Sequence, residues 1–137
     1  MGSEMCIRDR STDRRFQLID ITHEVEEAVR KSGIRNGLCL VFAPHATAAI
    51  VANEHESGLV EDILTKIREF VQPERRWRHN IIDDNAHAHI GSALFGSERI
   101  FPVRDGRLIR GTWQNIFLVE MDGPRHRRYV IVEVIGE

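Results

Sequence analysis

The chain has 137 residues, of which 19 are Lys or Arg and 21 are Asp or Glu, giving a net charge of −2 at pH 7. This length suits one domain with a real core and is too short for a (β/α)₈ barrel of about 250 residues. Apolar residues make up 42% and charged residues 29%, which excludes a disordered chain; the even charge balance removes the electrostatic basis for a nucleic-acid binder, and no apolar run reaches the roughly 20 residues of a membrane span.

Residues 1–11 have no apolar period and are expected to be a non-native or disordered leader, with a single domain over 12–137. Phe16, Leu18 and Ile21 roughly alternate and predict a first strand. Thr22 is placed to cap a helix that runs to Lys31, with Val25, Ala28 and Val29 on one stripe and Gly33 just past its end. Gly37 to Ala43 reads as a buried strand, and Ala48 to Ala52 as another after the break at Pro44. Ser57 is the expected cap of a helix over 58–71, whose apolar residues recur at helical spacing until Pro73 marks its end. Residues 74–85 form a long polar connection, a kind of segment that is often functional. A short helix is expected from Ala86 to Phe95, closed by Gly96. The last third reads as antiparallel sheet: a hairpin turning at Arg104-Asp105-Gly106, a strand over 112–121, a turn at Asp122-Gly123-Pro124 and a return strand over 128–135.

The chain's two cysteines cannot form a disulfide framework, and a reducing cytoplasm is the expected compartment. Cys39 reads as a small buried hydrophobe. Lys31 and Lys66 are the sole lysines among the 19 basic residues; arginine presents a planar fork suited to carboxylates and phosphates, although base composition of the gene also accounts for such a bias.

Five of the seven histidines, His45, His55, His79, His87 and His89, lie within one third of the chain. Histidine is the commonest metal ligand and the natural acid or base near neutral pH, and three histidines plus water is a known catalytic zinc arrangement. His87 and His89 would point to one side if extended, and about 200° apart on a helix. Glu54, Glu56, Asp62, Asp83 and Asp84 could orient such ligands; a solvated face or a helix cap is the alternative for all five and the preferred reading for Glu56. The turn at Gly123 to Arg128, with three arginines, is either an anion clamp or an exposed hairpin turn. No HExxH, CxxC, phosphate loop or GxSxG elbow is present.

In one order occur His45-Ala46-Thr47-Ala48-Ala49, Asn53-Glu54, Trp77-Arg78-His79, Asn85-Ala86-His87-Ala88-His89, Ser92-Ala93-Leu94-Phe95-Gly96, Ile100-Phe101-Pro102-Val103, Gly111-Thr112-Trp113-Gln114 and Asp122-Gly123-Pro124-Arg125. This series, over about residues 14–137, resembles the YjbQ-like family, often described as secondary thiamine-phosphate synthases. The resemblance implies an α/β (α+β) fold: a single compact domain of mostly antiparallel sheets packed with two or three helices, assembled as a homotrimer. It implies histidines around a metal-sized pocket, with His45, His79 and His89 matching the family's recurrent positions and His87 matching some members. Glu54, Asp62 and Gln114 match polar positions near that pocket and are the expected catalytic residues; Arg125 is expected to bind a cofactor or an anionic group. Trp77 stands where the family usually has Tyr. The function implied is a metal-dependent enzyme, most naturally with zinc, acting on a phosphorylated small molecule; nominally it joins a pyrimidine diphosphate to a thiazole phosphate and releases pyrophosphate. A non-catalytic metal- or ligand-binding homotrimer and a metal-dependent hydrolase are the alternatives. Neither nucleic acid nor membrane is an expected partner. His45, His79 and His89 are expected to converge on one ion.

Overall fold

A computed structural model describes the backbone of residues 1–137 and every side chain except that of Asp9. The strands are β1 (Gly2–Thr12), β2 (Gln17–Asp20), β3 (Gly37–Phe42), β4 (Ala48–Asn53), β5 (Glu98–Arg104), β6 (Arg107–Leu108), β7 (Asn115–Glu120) and β8 (Arg125–Gly136). The helices are α1 (Thr22–Ser32), α2 (Ser57–Val71) and α3 (Ala86–Phe95), with one 3₁₀ turn at Arg78–Ile81. All strand pairs are antiparallel, in a five-stranded sheet ordered β1-β8-β3-β5-β6 and a three-stranded sheet ordered β2-β7-β4. This is the expected α+β domain. No helix among the described residues is long and apolar enough to cross a membrane.

The layers follow from strand periodicity. Cys39 and Val41 of β3, Val130, Val132 and Val134 of β8, and Phe101 and Val103 of β5 share a buried face of the larger sheet. They pack with Ile50, Ile116 and Leu118 of the smaller sheet and with the Val25, Ala28 and Val29 stripe of α1. The other face of the smaller sheet, through Ala49, Val119 and Met121, packs on Ile67 and Val71 of α2 and Ala88 of α3. β7 is therefore buried on both faces, which explains its unbroken apolar run. β8 is covered on one face within the chain. On its opposite face Leu38 (46% exposed), Ile100 (60%) and Ile135 (52%) form an apolar band across β3, β5 and β8.

Local sequence accounts for most boundaries. Gly33 closes α1 at φ 70°, and Gly96 follows α3. Two caps differ from expectation. Asp20, not Thr22, accepts at the start of α1, from the Thr22 N–H at 2.9 Å and its hydroxyl at 2.6 Å; the Thr22 hydroxyl in turn accepts the Ile116 N–H. Glu56, not Ser57, caps α2, accepting the Gly58 and Leu59 N–H groups at 2.7 and 2.8 Å. Residues 2–11, read from sequence as part of a non-native or disordered leader, lie in β1 and pair along β8, with Met5 opposite Val132 and Ile7 opposite Val130 on the core side. Two inward apolar residues between polar ones are a weak pattern alone, but they suffice beside a long apolar partner strand.

Candidate functional site

The corner between β7 and β8 is built on a buried ion pair. Glu120 and Arg128 are 0% and 5% exposed. The Glu120 carboxylate accepts from Arg128 Nε at 2.9 Å and also from Arg128 Nη2, from the Thr12 hydroxyl at 2.8 Å, and from the Met121 and Asp122 N–H groups at 3.1 Å each. Arg128 Nη2 also donates to the Thr47 hydroxyl at 2.8 Å. Buried charges are tolerated only when saturated in this way. The result ties the 45–47 break to the 121–125 turn. Gly123 completes the corner, because a Cβ there would lie 2.0 Å from the Arg14 carbonyl oxygen.

His45 sits beside this pair. Its Nε2 lies 3.1 Å from both the peptide nitrogen and the carbonyl oxygen of Tyr129, and the two rings meet edge to face at 5.2 Å. Burial, reinforced by the Arg128 charge, holds the His45 pKa below the usual histidine value against the opposing Tyr129 carbonyl and Glu120. His45 lines a cavity of about 510 Å³ with Pro124, Arg125, His126, Arg127 and Arg128, an arginine-rich wall in which Arg125 and Arg128 are paired with Asp122 and Glu120.

The long 72–85 connection brings the second group. Trp77 Nε1 donates to the Gln72 carbonyl at 2.9 Å, and the Arg75 guanidinium stacks on the indole at 4.8 Å. The following 3₁₀ turn carries His79 onto His89 of α3, ring centroids 4.9 Å apart. These two histidines line a cavity of about 650 Å³ with Arg75, Arg76, Trp77 and Arg78. Both cavities fall in the size range of small-molecule sites.

A polar chain joins the two cavities. His79 Nε2 lies 3.1 Å from Asn85 Oδ1; Asn85 Nδ2 donates to Asp122 Oδ2 at 2.9 Å; Arg125 Nη2 donates to the same oxygen at 2.6 Å, and Arg125 Nε donates to the Asp122 carbonyl at 3.0 Å. A basic wall, a pair of imidazoles and a buried carboxylate network thus lie around one corner. The arrangement suits holding a phosphoryl group and moving a proton beside it.

The expected site residues fall in several places. His79 and His89 meet, and Arg125 stands in the cationic wall. His45 lies in a different cavity from His79 and His89, so the expected convergence on one ion is not made within one chain. His87 points away from them: it is 0% exposed, its Nε2 lies 2.8 Å from the Met121 carbonyl oxygen and its ring packs on Phe16 at 5.5 Å. The helical rotation between positions 87 and 89 explains why one faces the core and the other the cavity. Glu54 follows β4 and Gln114 precedes β7 at the Asn53–Asn115 end of that strand pair, opposite the Ala48–Glu120 end. Gln114 Oε1 accepts the Gly111 N–H at 2.6 Å, and Asp62 is exposed on α2. Among the described residues no group of three or more His, Cys, Asp or Glu side chains could hold a metal ion. Two adjacent imidazoles fall short of the three protein ligands of a catalytic zinc site, so one chain alone does not fit that metal.

Sequence reasoning missed Asp122 as a partner of Asn85 and missed the Glu120–Arg128 pair. The signal was present: a carboxylate inside the apolar run Ile116–Met121 needs a buried cation, and Arg128 stands directly before the apolar run Tyr129–Val132 of the return strand.

Comparison with known proteins places this geometry in a family. The UPF0047 protein YjbQ-like family matches residues 8–137. A UPF0047 protein of Methanothermobacter thermautotrophicus is 45% identical over 126 residues, covering 92% of this chain and 87% of its own. The UPF0047 protein YugU of Bacillus subtilis is 40% identical over 120 residues, covering 85% and 88%. The crystal structure of a YbjQ-like protein of unknown function from Sulfolobus solfataricus P2 superposes with a TM-score of 0.98 at 63% identity, covering 100% of this chain and 99% of that one.

Proposed function

The chain belongs to the UPF0047 protein YjbQ-like family, and from that premise and its site we propose that it is an enzyme acting on a phosphorylated small molecule at the β7–β8 corner. The observation that carries this reading is the cavity wall that sets Arg125 and Arg127 beside His45 and His126, joined through Asp122 and Asn85 to the His79–His89 pair. Arg125 and Arg127 would take the phosphoryl oxygens, stabilising charge that develops on a leaving phosphate or diphosphate. His79, exposed to its cavity, would accept or donate the proton. The nominal reaction, a pyrimidine diphosphate joined to a thiazole phosphate with loss of pyrophosphate, is of this class. So is hydrolysis of a phosphate ester, with water in place of the thiazole. Cys39, whose thiol burial pushes up to about 12, takes no part and stays a buried thiol, in keeping with a cytoplasmic setting.

Turnover of the two thiamine precursors, followed as pyrophosphate release, tests the reading. His79→Ala and Arg125→Ala are each expected to lower kcat/KM by about 100-fold. Wild-type rates in both variants would contradict it.

The working unit is proposed to be a homotrimer. The uncovered band of Leu38, Ile100 and Ile135 supports it, because an apolar sheet face of this kind calls for a partner. Tyr129 shares the outward parity of Ile135 on β8, six residues along the strand, and abuts His45, so a second copy that covered this face from the band as far as Tyr129 would add groups to the His45 cavity. Light scattering is expected to give three times the 15.8 kDa of one chain; a mass of one chain at micromolar concentration would refute the assembly.

A further inference from the structure

Asn85 occupies the N-cap position of α3, where an asparagine side chain ordinarily accepts a helical N–H. It makes no such bond here; Asn80 Oδ1 takes the Ala86 N–H instead, at 3.1 Å. The Asn85 amide is committed to His79 on one side and Asp122 on the other, and Asn85 itself is 7% exposed. A local rule broken in this way marks a side chain held for another purpose.

The donor logic is closed. A carboxylate only accepts, so the Asn85 NH₂ must face Asp122, and its carbonyl oxygen must face His79. That oxygen accepts as well, so the proton of the neutral imidazole sits on Nε2 and the lone pair on Nδ1. The same Asp122 oxygen holds the Arg125 guanidinium on its other side.

We propose that Asp122 is a positioning residue. Acting through Asn85, it locks His79 as the Nε2–H tautomer with Nδ1 as the basic nitrogen, and it aims Arg125 into the cationic cavity. The tautomer assignment rests on hydrogen-bond geometry alone; the role of Nδ1 in turnover rests on the function proposed above.

The test is spectroscopic. In protein labelled with ¹⁵N-histidine, long-range ¹H–¹⁵N correlations at about pH 8, above the ordinary histidine value of about 6.5, report which nitrogen of each ring is protonated. The expected result is a single Nε2–H form for His79 in the wild type. In Asp122→Ala the Asn85 amide is free to turn, and His79 should show both tautomers. Asp122→Asn, which still offers an amide oxygen to Asn85, should restore the single form. Asn85→Ala should give the mixture without disturbing the corner. His87, bonded to the Met121 carbonyl, should remain Nε2–H in every variant and so report that the fold is intact. A mixed or Nδ1–H His79 in the wild type, or an unchanged single form in both alanine variants with His87 intact, would overturn the proposal. Kinetics separate the two readings. Asp122→Ala should raise KM and lower kcat by about tenfold each, whereas Asn85→Ala should lower kcat with KM nearly unchanged. Altered tautomers with unchanged kcat would remove His79 from the chemistry while leaving the positioning assignment in place.

Discussion

At the N-terminal end of β7, the Asp20 carboxylate accepts the Thr22 N–H and hydroxyl, Asn115 Nδ2 at 2.7 Å and a hydrogen bond with His55 Nδ1 at 2.7 Å. At the C-terminal end, Asp122 accepts from Asn85 and Arg125. Both are carboxylates gathering several donors near a histidine, yet they do different work. Burial alone would raise the Asp20 carboxyl, but the bonds from Thr22, His55 and Asn115 outweigh it and hold the group below its usual value. Those bonds start α1 and pin β7 to it. Of the partners of Asp122, Arg125 lines one cavity, and Asn85 bonds His79, which lines the other. The two carboxylates differ in what their partners reach: helix and strand ends around Asp20, cavity-lining side chains around Asp122.

The sharpest way to break this comparison is to strip the support beneath the functional end. Arg128→Ala leaves Glu120 buried and unpaired, and urea unfolding should show a loss of about 3–5 kcal/mol. A loss under about 1 kcal/mol would mean that the ion pair does not hold the corner.

The pH response is smaller. Burial first, and then the nearby Arg15 charge, hold the His87 pKa below the usual histidine value, against the Met121 carbonyl and the carboxylates of Asp122 and Asp84. A histidine depressed in the folded state contributes stability that is complete above the unfolded value of about 6.5 and is lost as pH falls below it. His87→Gln keeps a donor for the Met121 carbonyl and removes the titration. Its stability should therefore fall less between about pH 7.5 and 5.5, by up to about 1.4 kcal/mol per pH unit. Parallel pH profiles for the two proteins would contradict a buried neutral His87.

Much of the fold was legible because period and punctuation agree. The Val25–Val29 stripe, the α2 repeat ending at Pro73, and Gly33 and Gly96 each name one element, and α1, α2 and α3 stand where these residues put them. β1 was not legible, since its pairing is supplied by β8, over 100 residues away. At the site, residue types were legible and their grouping was not. His79 and His89 meet because a loop folds back on a helix, and the Glu54 and Gln114 end of β4 and β7 lies a strand's length from the Glu120 end. That distance depends on register, which a list of motifs does not carry.

The proposed site puts the anionic ligand at the Asp122 end and not at the Asp20 end. Titration of ¹⁵N-histidine-labelled protein with inorganic pyrophosphate tests it most directly. Saturable shifts of His45, His79 and His126 are expected, with His55 and His23 unmoved. Shifts at His55 alone, or no saturable shift at any histidine, would contradict it.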